Sequence, residues 1–250
     1  LYHMFFQKLL LHKIGKYSEF DAFYHAKKVS YKQMRNLDMD LLRHVFTFEL
    51  LKQKVFTNLL PQSPKENCCV IGDGQSNFVS LALFNSSIDK IISVNLPEVL
   101  LNDLTLLKKI RPNQDEYVFV ETKKDFNTAL NNKTVKIIFI AANDSTILFN
   151  ADIFLFVNIA SMQEMKLSSI SKYFDIIKSN KAFFYCCNRD TKILPGGEQI
   201  LFKKYPWGKH QLLLDGLPKW HQFYYKLDIL NFKLKYPYSG VHKHRLVKYN

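Results

Sequence analysis

Arginine is scarce in this chain. Of its 35 basic residues only Arg35, Arg43, Arg111, Arg189 and Arg245 are arginines, and the other 30 are lysines. The formal charge of +13 over 250 residues suggests an anionic partner such as RNA, a phosphorylated glycan or a membrane surface. The guanidinium forks that read phosphates and bases bidentately are few, however. The lysines also accompany many Asn, Ile, Phe and Tyr residues, as an AT-biased genome would encode, so no specific nucleic-acid partner is expected. Long apolar runs are missing as well. The most apolar region, "VKIIFIAANDSTILFNADIFLFVNIA", is interrupted by Asn143, Asp144, Asn150 and Asp152, which excludes a membrane-spanning helix there and leaves short buried strands. The four cysteines form two adjacent pairs, Cys68-Cys69 and Cys186-Cys187, without the CxxC spacing of zinc or redox sites. Neighbours in a strand point to opposite faces, so buried reduced thiols and a cytoplasmic protein are expected. Internal repeats and low-complexity segments are lacking. The chain begins on Leu1 and is expected to lack its native start. Its first residues, "LYHMFFQKLL", carry no small-residue cleavage site and are read as helix rather than signal peptide.

The remaining composition, 47% hydrophobic and 23% charged, is that of a globular chain long enough for one α/β domain with additions. Residues 1–62 read as an N-terminal helical extension. In "LDMDLLRHVFTFELLKQKVFTNLL" the apolar residues Leu37, Leu41, Leu42, Val45, Phe48 and Leu51 recur at three- and four-residue steps, and Pro61 and Pro64 end the pattern. Residues 63–250 read as the main domain. Strand-like runs at 68–71, 90–94, 135–140, 152–159 and 181–187 alternate with amphipathic stretches, which implies a parallel sheet joined by right-handed crossovers. Near-continuous apolarity in these runs fits strands covered on both faces. Tyr117 to Asn132 is ambiguous between strand and helix. Beyond Arg189 a loop and an antiparallel pair at the sheet edge are expected.

The stretch "CCVIGDGQSN" places Gly72 and Gly74 at the end of the first strand, where parallel α/β sheets bind ligands. Both glycines permit positive φ and close backbone approach, and the following helix is expected to offer free N–H groups. A third glycine is absent, so a pyrophosphate-binding dinucleotide loop fits poorly. The next strand ends at Asn95, where such folds present a group to a ribose hydroxyl; an amide there hydrogen-bonds but carries no charge.

Taken together, "VIGDGQSNFVSLAL", "IISVNLPEVL", "DIFLFVNIASMQEM", "FFYCCNR", "YPW" and "WHQFYY" occur in an order that resembles the sugar O-methyltransferases, a branch of the S-adenosylmethionine-dependent class I methyltransferases. The resemblance covers about Cys68 to Tyr225, and its specific parts are "NLPEVL", "SMQEM" and "WHQFYY". It implies a Rossmann-like fold with a mainly parallel sheet and an antiparallel edge hairpin. It also implies S-adenosylmethionine held by Gly72, Asp73, Gly74, Asn95, Leu96, Ala142, Asn143 and Asp144. Two carboxylates usual in the family are replaced, by Val70 before the first glycine and by Asn95.

Methyl transfer to a sugar hydroxyl requires alignment and removal of a poorly acidic proton. His221 in "WHQFYY" and Glu164 in "SMQEM" are the candidate bases. The alternatives are that His221 caps a backbone group on an edge strand and that Glu164 stabilises a helix N-terminus. Ser161, Gln163, Asn188, Arg189, Trp207 and Gln222 are candidates for binding the acceptor, with Arg189 suited to a carboxylate or phosphate and Trp207 to stacking on a sugar ring. No metal is expected, since His242, Lys243 and His244 lack a dependable ligand spacing. The expected function is a sugar O-methyltransferase in surface-glycan or glycosylated-metabolite biosynthesis. A nucleic-acid methyltransferase and an inactive methyltransferase-like binding protein are its rivals.

Overall fold

The computed structural model describes residues 20–56, 66–223, 226–228, 233–235 and 240–250. The helix expected at the first residues, Pro61, Pro64, Tyr224, Tyr225 and the domain boundary at 62–63 lie outside the described residues. Among the described residues two helices come first, α1 (Asp21–Gln33) and α2 (Met39–Lys54). The start of α2 is set by Asp38, whose side chain accepts a hydrogen bond from the Leu41 amide at 2.8 Å, satisfying one of the donors that a helix leaves unpaired at its first turn. Its periodic residues Leu41, Leu42, Val45, Phe48 and Leu51 are all buried.

The α/β part follows as β1 (Glu66–Ile71), α3 (Asn77–Ala82), β2 (Ile88–Asn95), α4 (Pro97–Lys108), β3 (Tyr117–Phe119), α5 (Lys123–Asn131), β4 (Ile137–Ala141), β5 (Leu155–Ile159), α6 (Leu167–Ser179) and β6 (Phe183–Arg189). The ambiguous stretch is therefore both things, a short strand and then a helix that Thr122 caps through the Asp125 amide. Later come the antiparallel pair β7 (Thr191–Ile193) and β8 (Gln199–Leu201), then β9 (Gln211–Gly216), a second small pair, β10 (Lys226–Asp228) and β11 (Lys233–Lys235), and finally β12 (His242–Lys248).

Eight strands form one sheet in the order β3-β4-β2-β1-β5-β6-β12-β9. The first six are mutually parallel, whereas β12 runs antiparallel to both β6 and β9. This is the expected Rossmann-like sheet, mainly parallel with an antiparallel edge. Strand periodicity sorts the side chains between two cores. Cys68, Val70, Ile91, Phe139, Val157, Tyr185 and Cys187 join the residues of α1, α2, α3 and α4 on one face. Cys69, Ile71, Ile92, Ile138, Phe156, Phe184 and Cys186 join those of α5 and α6 on the other. Each cysteine pair is thus split between the faces, and all four thiols are free and buried. Among the described residues no helix is long and apolar enough to cross a membrane.

Candidate active site

Parallel strands deliver their carboxyl ends to one edge, and the chain crosses over between β4 and β5, so the opening lies beyond β1 and β5. Tight turns with positive φ lie there. Gly72, Gly74 and Ser76 have φ of 69°, 73° and 51°, and Ala160, just past β5, has φ of 59°. The two glycines serve different purposes. A Cβ on Gly72 would lie 2.3 Å from Ser161 Oγ and 2.5 Å from its Cβ, whereas one on Gly74 would meet nothing within 4 Å. Gly72 lets two segments of protein touch; Gly74 borders open space.

Between them, Asp73 faces inward. Its Oδ1 accepts the Phe78 amide at 2.9 Å and its Oδ2 the Val79 amide at 2.8 Å, and its side chain is fully buried. The N–H groups of α3 expected for a ligand are therefore taken by Asp73. Both carboxylate oxygens are thus engaged by the helix and out of solvent, rather than exposed at the open edge. Burial raises its pKa to about 6, against the two amide bonds and the charges of Arg35 and Arg43, which lower it. His44 of α2 lies beside it, Nδ1 to Oδ1 3.7 Å. Burial first, and then Arg43 and Arg35, hold that ring well below the usual histidine range and so neutral.

Asn95 is also turned toward protein. Its Nδ2 donates to Asp103 Oδ2 at 3.3 Å and its Oδ1 accepts the Leu96 amide at 3.1 Å. Asp103, on α4, has no exposed surface, and burial together with the Asp73 charge raises its pKa to about 7. The second strand thus does have a carboxyl group at its end, supplied by the following helix. Leu96 is exposed. Ala141 pairs with Asn95, which sets the 3-10 turn Ala142–Leu148, including Ala142, Asn143 and Asp144, beside the end of β2. Asn143 is exposed and the other two are half-buried.

On the far side of β1, Asn158 organises the loop after β5. Its Nδ2 donates to Ile71 O at 2.9 Å and to Ser161 Oγ, and its Oδ1 accepts from Asn188 Nδ2 at 2.8 Å and from the Met162 amide at 3.3 Å. Ser161 Oγ also donates to Ile71 O at 2.9 Å. Asn188 Oδ1 accepts the Gln163 amide at 3.0 Å, and Gln163 Oε1 accepts the Arg189 amide at 2.7 Å. Ser161, Gln163 and Asn188, expected to bind acceptor, thus direct these groups to the protein and brace the loop against β1 and β6. Glu164 is three residues short of α6 and caps nothing there. It pairs with Lys192 at 3.0 Å and is half exposed.

His221 is buried in a 3-10 turn, Lys219–Phe223, rather than on an edge strand. Its Nε2 accepts the His242 amide at 3.2 Å, the first residue of β12, and the Gly240 backbone engages the same ring while burial lowers its pKa. The lone pair a base would use is occupied, so the ring holds backbone in place. Gln222 is exposed. Trp207 goes to the core. It packs on Phe174, Phe202 and Tyr205, with the Arg245 guanidinium 4.6 Å over the ring, and so has no face left for a sugar. Among the described residues no group of three or more His, Cys, Asp or Glu side chains could hold a metal ion.

Asp103, His44 and Asn158 were missed in the sequence, and each leaves a signal there. All are single polar residues at positions where the helical or strand period demands an apolar one, in "LLNDLTLL", "LLRHVF" and "FLFVNI".

No family model matches the chain, and no curated protein matches it. Solved structures with a similar outline include the methyltransferase domain of a bacterial CtHen1 (12% identity, TM-score 0.46, 82% of this chain and 97% of that one). They also include the rRNA methyltransferase aviRa from Streptomyces viridochromogenes (10% identity, TM-score 0.46, 82% and 84%). A third is the cyclopropane synthase MmaA2 from Mycobacterium tuberculosis (9% identity, TM-score 0.44, 80% and 83%).

Proposed function

We propose that the chain is an S-adenosylmethionine-dependent O-methyltransferase acting on a sugar hydroxyl. The observation that supports this most directly is the contrast between the two glycines, since the one bordering open space, Gly74, lies in the turn at the carboxyl end of the first strand. S-adenosylmethionine, when bound, supplies a methyl group already activated on a sulfonium. Gly72 and Gly74 would face it with backbone, Asn95 and Leu96 from the end of β2, and Ala142, Asn143 and Asp144 from the end of β4. Asp73 and Asp103 support that surface from behind. The acceptor would lie toward β5 and β6.

Neither candidate base is free to serve as drawn from the sequence. Glu164 is ion-paired and His221 is hydrogen-bonded to backbone. Alignment by the braced loop then carries the transfer, with water taking the proton, and alignment alone is a large effect in intramolecular reactions. Titration with S-adenosylhomocysteine tests the donor site. The parent chain is expected to bind it, and Gly74→Val to lose at least about tenfold, or ~1.4 kcal/mol, while melting cooperatively. Equal affinity in the two proteins would move the site elsewhere.

The rival acceptor is nucleic acid, favoured by the +13 charge. Non-specific phosphate contacts weaken steeply with salt, so sequence-selective RNA binding that survives physiological salt would replace the sugar reading.

A further inference from the structure

The N-terminal helices bring a second arginine to the acceptor side. Thr47 of α2 meets Tyr185 of β6, Oγ1 to OH 3.3 Å. Arg43, one turn earlier on α2, lies within electrostatic range of Cys187 and His242, and Arg189 faces the same side of β6 as Cys187 and Tyr185. Across the antiparallel ladder His242 is the register partner of Arg189. Arg43 and Arg189 are both close enough to press on the His242 ring electrostatically.

The charge there is poorly balanced. Arg43 has Asp40 at 3.3 Å, itself half exposed. Among the described residues the Arg189 guanidinium has no hydrogen bond or ion pair, and Nε of both arginines is buried and unpartnered. Burial and the two guanidinium charges hold the neighbouring His242 neutral, its pKa lowered to about 3. A partly buried guanidinium normally finds a counterion or full hydrogen bonding.

We propose that Arg43 and Arg189 form a two-armed clamp for an oxyanion carried by the acceptor, a phosphoryl or carboxylate group on the sugar. The proposal rests on the methyltransferase reading for its placement, not for its chemistry. A guanidinium presents parallel N–H donors that match either oxyanion bidentately, and an uncharged sugar leaves both arms unmatched. One arm comes from the helical segment and the other from the sheet, so the anion would also tie α2 to the carboxyl edge.

The experiment is titration of the full chain, saturated with S-adenosylhomocysteine, with glucose 6-phosphate, glucuronate, glucose and a short single-stranded RNA. One of the two charged sugars is expected to bind, and which one does identifies the anion, while glucose is not. Arg189→Gln and Arg43→Gln should each weaken that binding about 10- to 100-fold, the range for a lost charged hydrogen bond. Arg189→Lys, which keeps charge and fold but not the fork, should fall between. S-adenosylhomocysteine affinity should stay unchanged in both Arg189 variants. Four results would overturn the clamp. These are no charged-sugar binding by the parent, equal loss of glucose and charged sugars in the variants, weakened S-adenosylhomocysteine binding by the Arg189 variants, which would make it a donor-carboxylate site, or an arginine-dependent preference for the RNA. If the parent binds a charged sugar through these arginines but never binds S-adenosylhomocysteine, the clamp stands and the methyltransferase reading falls.

Discussion

The two halves of the carboxyl edge differ in the charge they retain. Under the glycine turn, Asp73 and Asp103 are buried close enough to couple, and burial raises both carboxyl groups toward neutrality. Beside β6 and β12, His221, His242 and His244 are buried and held neutral by downward shifts whose first cause is again burial, and the standing charge belongs to Arg43 and Arg189. Titratable groups beside the glycine turn support backbone, while charge beside β6 lacks sufficient partners. A net charge of +13 thus says less than the position of two arginines.

The largest effect that would break this comparison is at Gly72. Adding Cβ there drives it into Ser161 at a φ unfavourable to side chains, so Gly72→Ala should destabilise by about 2–4 kcal/mol. The same change at Gly74 has only backbone strain to overcome, about 1–2 kcal/mol. Thermal melts of the two variants should differ clearly, and equal melting temperatures would remove the distinction between the glycines.

The two acids should respond to amide replacement with opposite signs. Asp103 has a folded pKa raised to about 7 from an ordinary 3.8, so between those values the folded chain holds a proton that the unfolded chain releases. Its contribution to stability is present below pH 3.8, falls as pH rises through that window, and is lowest above about 7. Asp103→Asn should therefore melt higher than the parent at pH 8 by roughly 1–3 kcal/mol of stability, the advantage shrinking toward pH 4. Asp73→Asn also relieves a buried charge at pH 8, since that pKa is raised to about 6, but it sets a donor against one of the two helix amides, and this lost and opposed bond should outweigh the relief and destabilise by about 1–2 kcal/mol. Melts across pH 4 to 8 check both, and stabilisation by Asp73→Asn would refute its bracing role.

The smallest expected effect is beside β6 and β12. His221→Gln retains a side-chain acceptor for the His242 amide, so turnover on a verified acceptor should fall by less than about tenfold, with no change in the pH profile. General-base catalysis is worth about 10²- to 10⁴-fold. A loss of that size, with the acid limb of the profile removed, would return the proton to His221.

Much of the framework was legible because it depends on local period. The five apolar runs became five of the sheet's parallel strands, and alternation separated Cys68 from Cys69 onto different cores. The glycine turn was legible too, since positive φ demands glycine locally. Partners were not legible. "GDG" does not say whether its aspartate faces ligand or helix, and "SMQE" does not reveal that Asn158 and Asn188 claim Ser161 and Gln163. His44, Asp103 and Asn158 were visible as polar interruptions without any indication of what they bond.

The sequence by itself determined the order of strands and helices, the face each strand residue takes and the position of the tight turn, because steric limits and hydrophobic period act over a few residues. Only the tertiary structure decided which polar groups remain open to a ligand. Strands β1, β5 and β6 had to lie side by side before Asn158 could reach Ile71 and Asn188, and α2 had to pack beside β6 before Arg43 and Arg189 could both act on His242. Hydrogen bonds and charges act over a few ångströms in space, and the partners available at that range are chosen by the packing of segments distant in the chain.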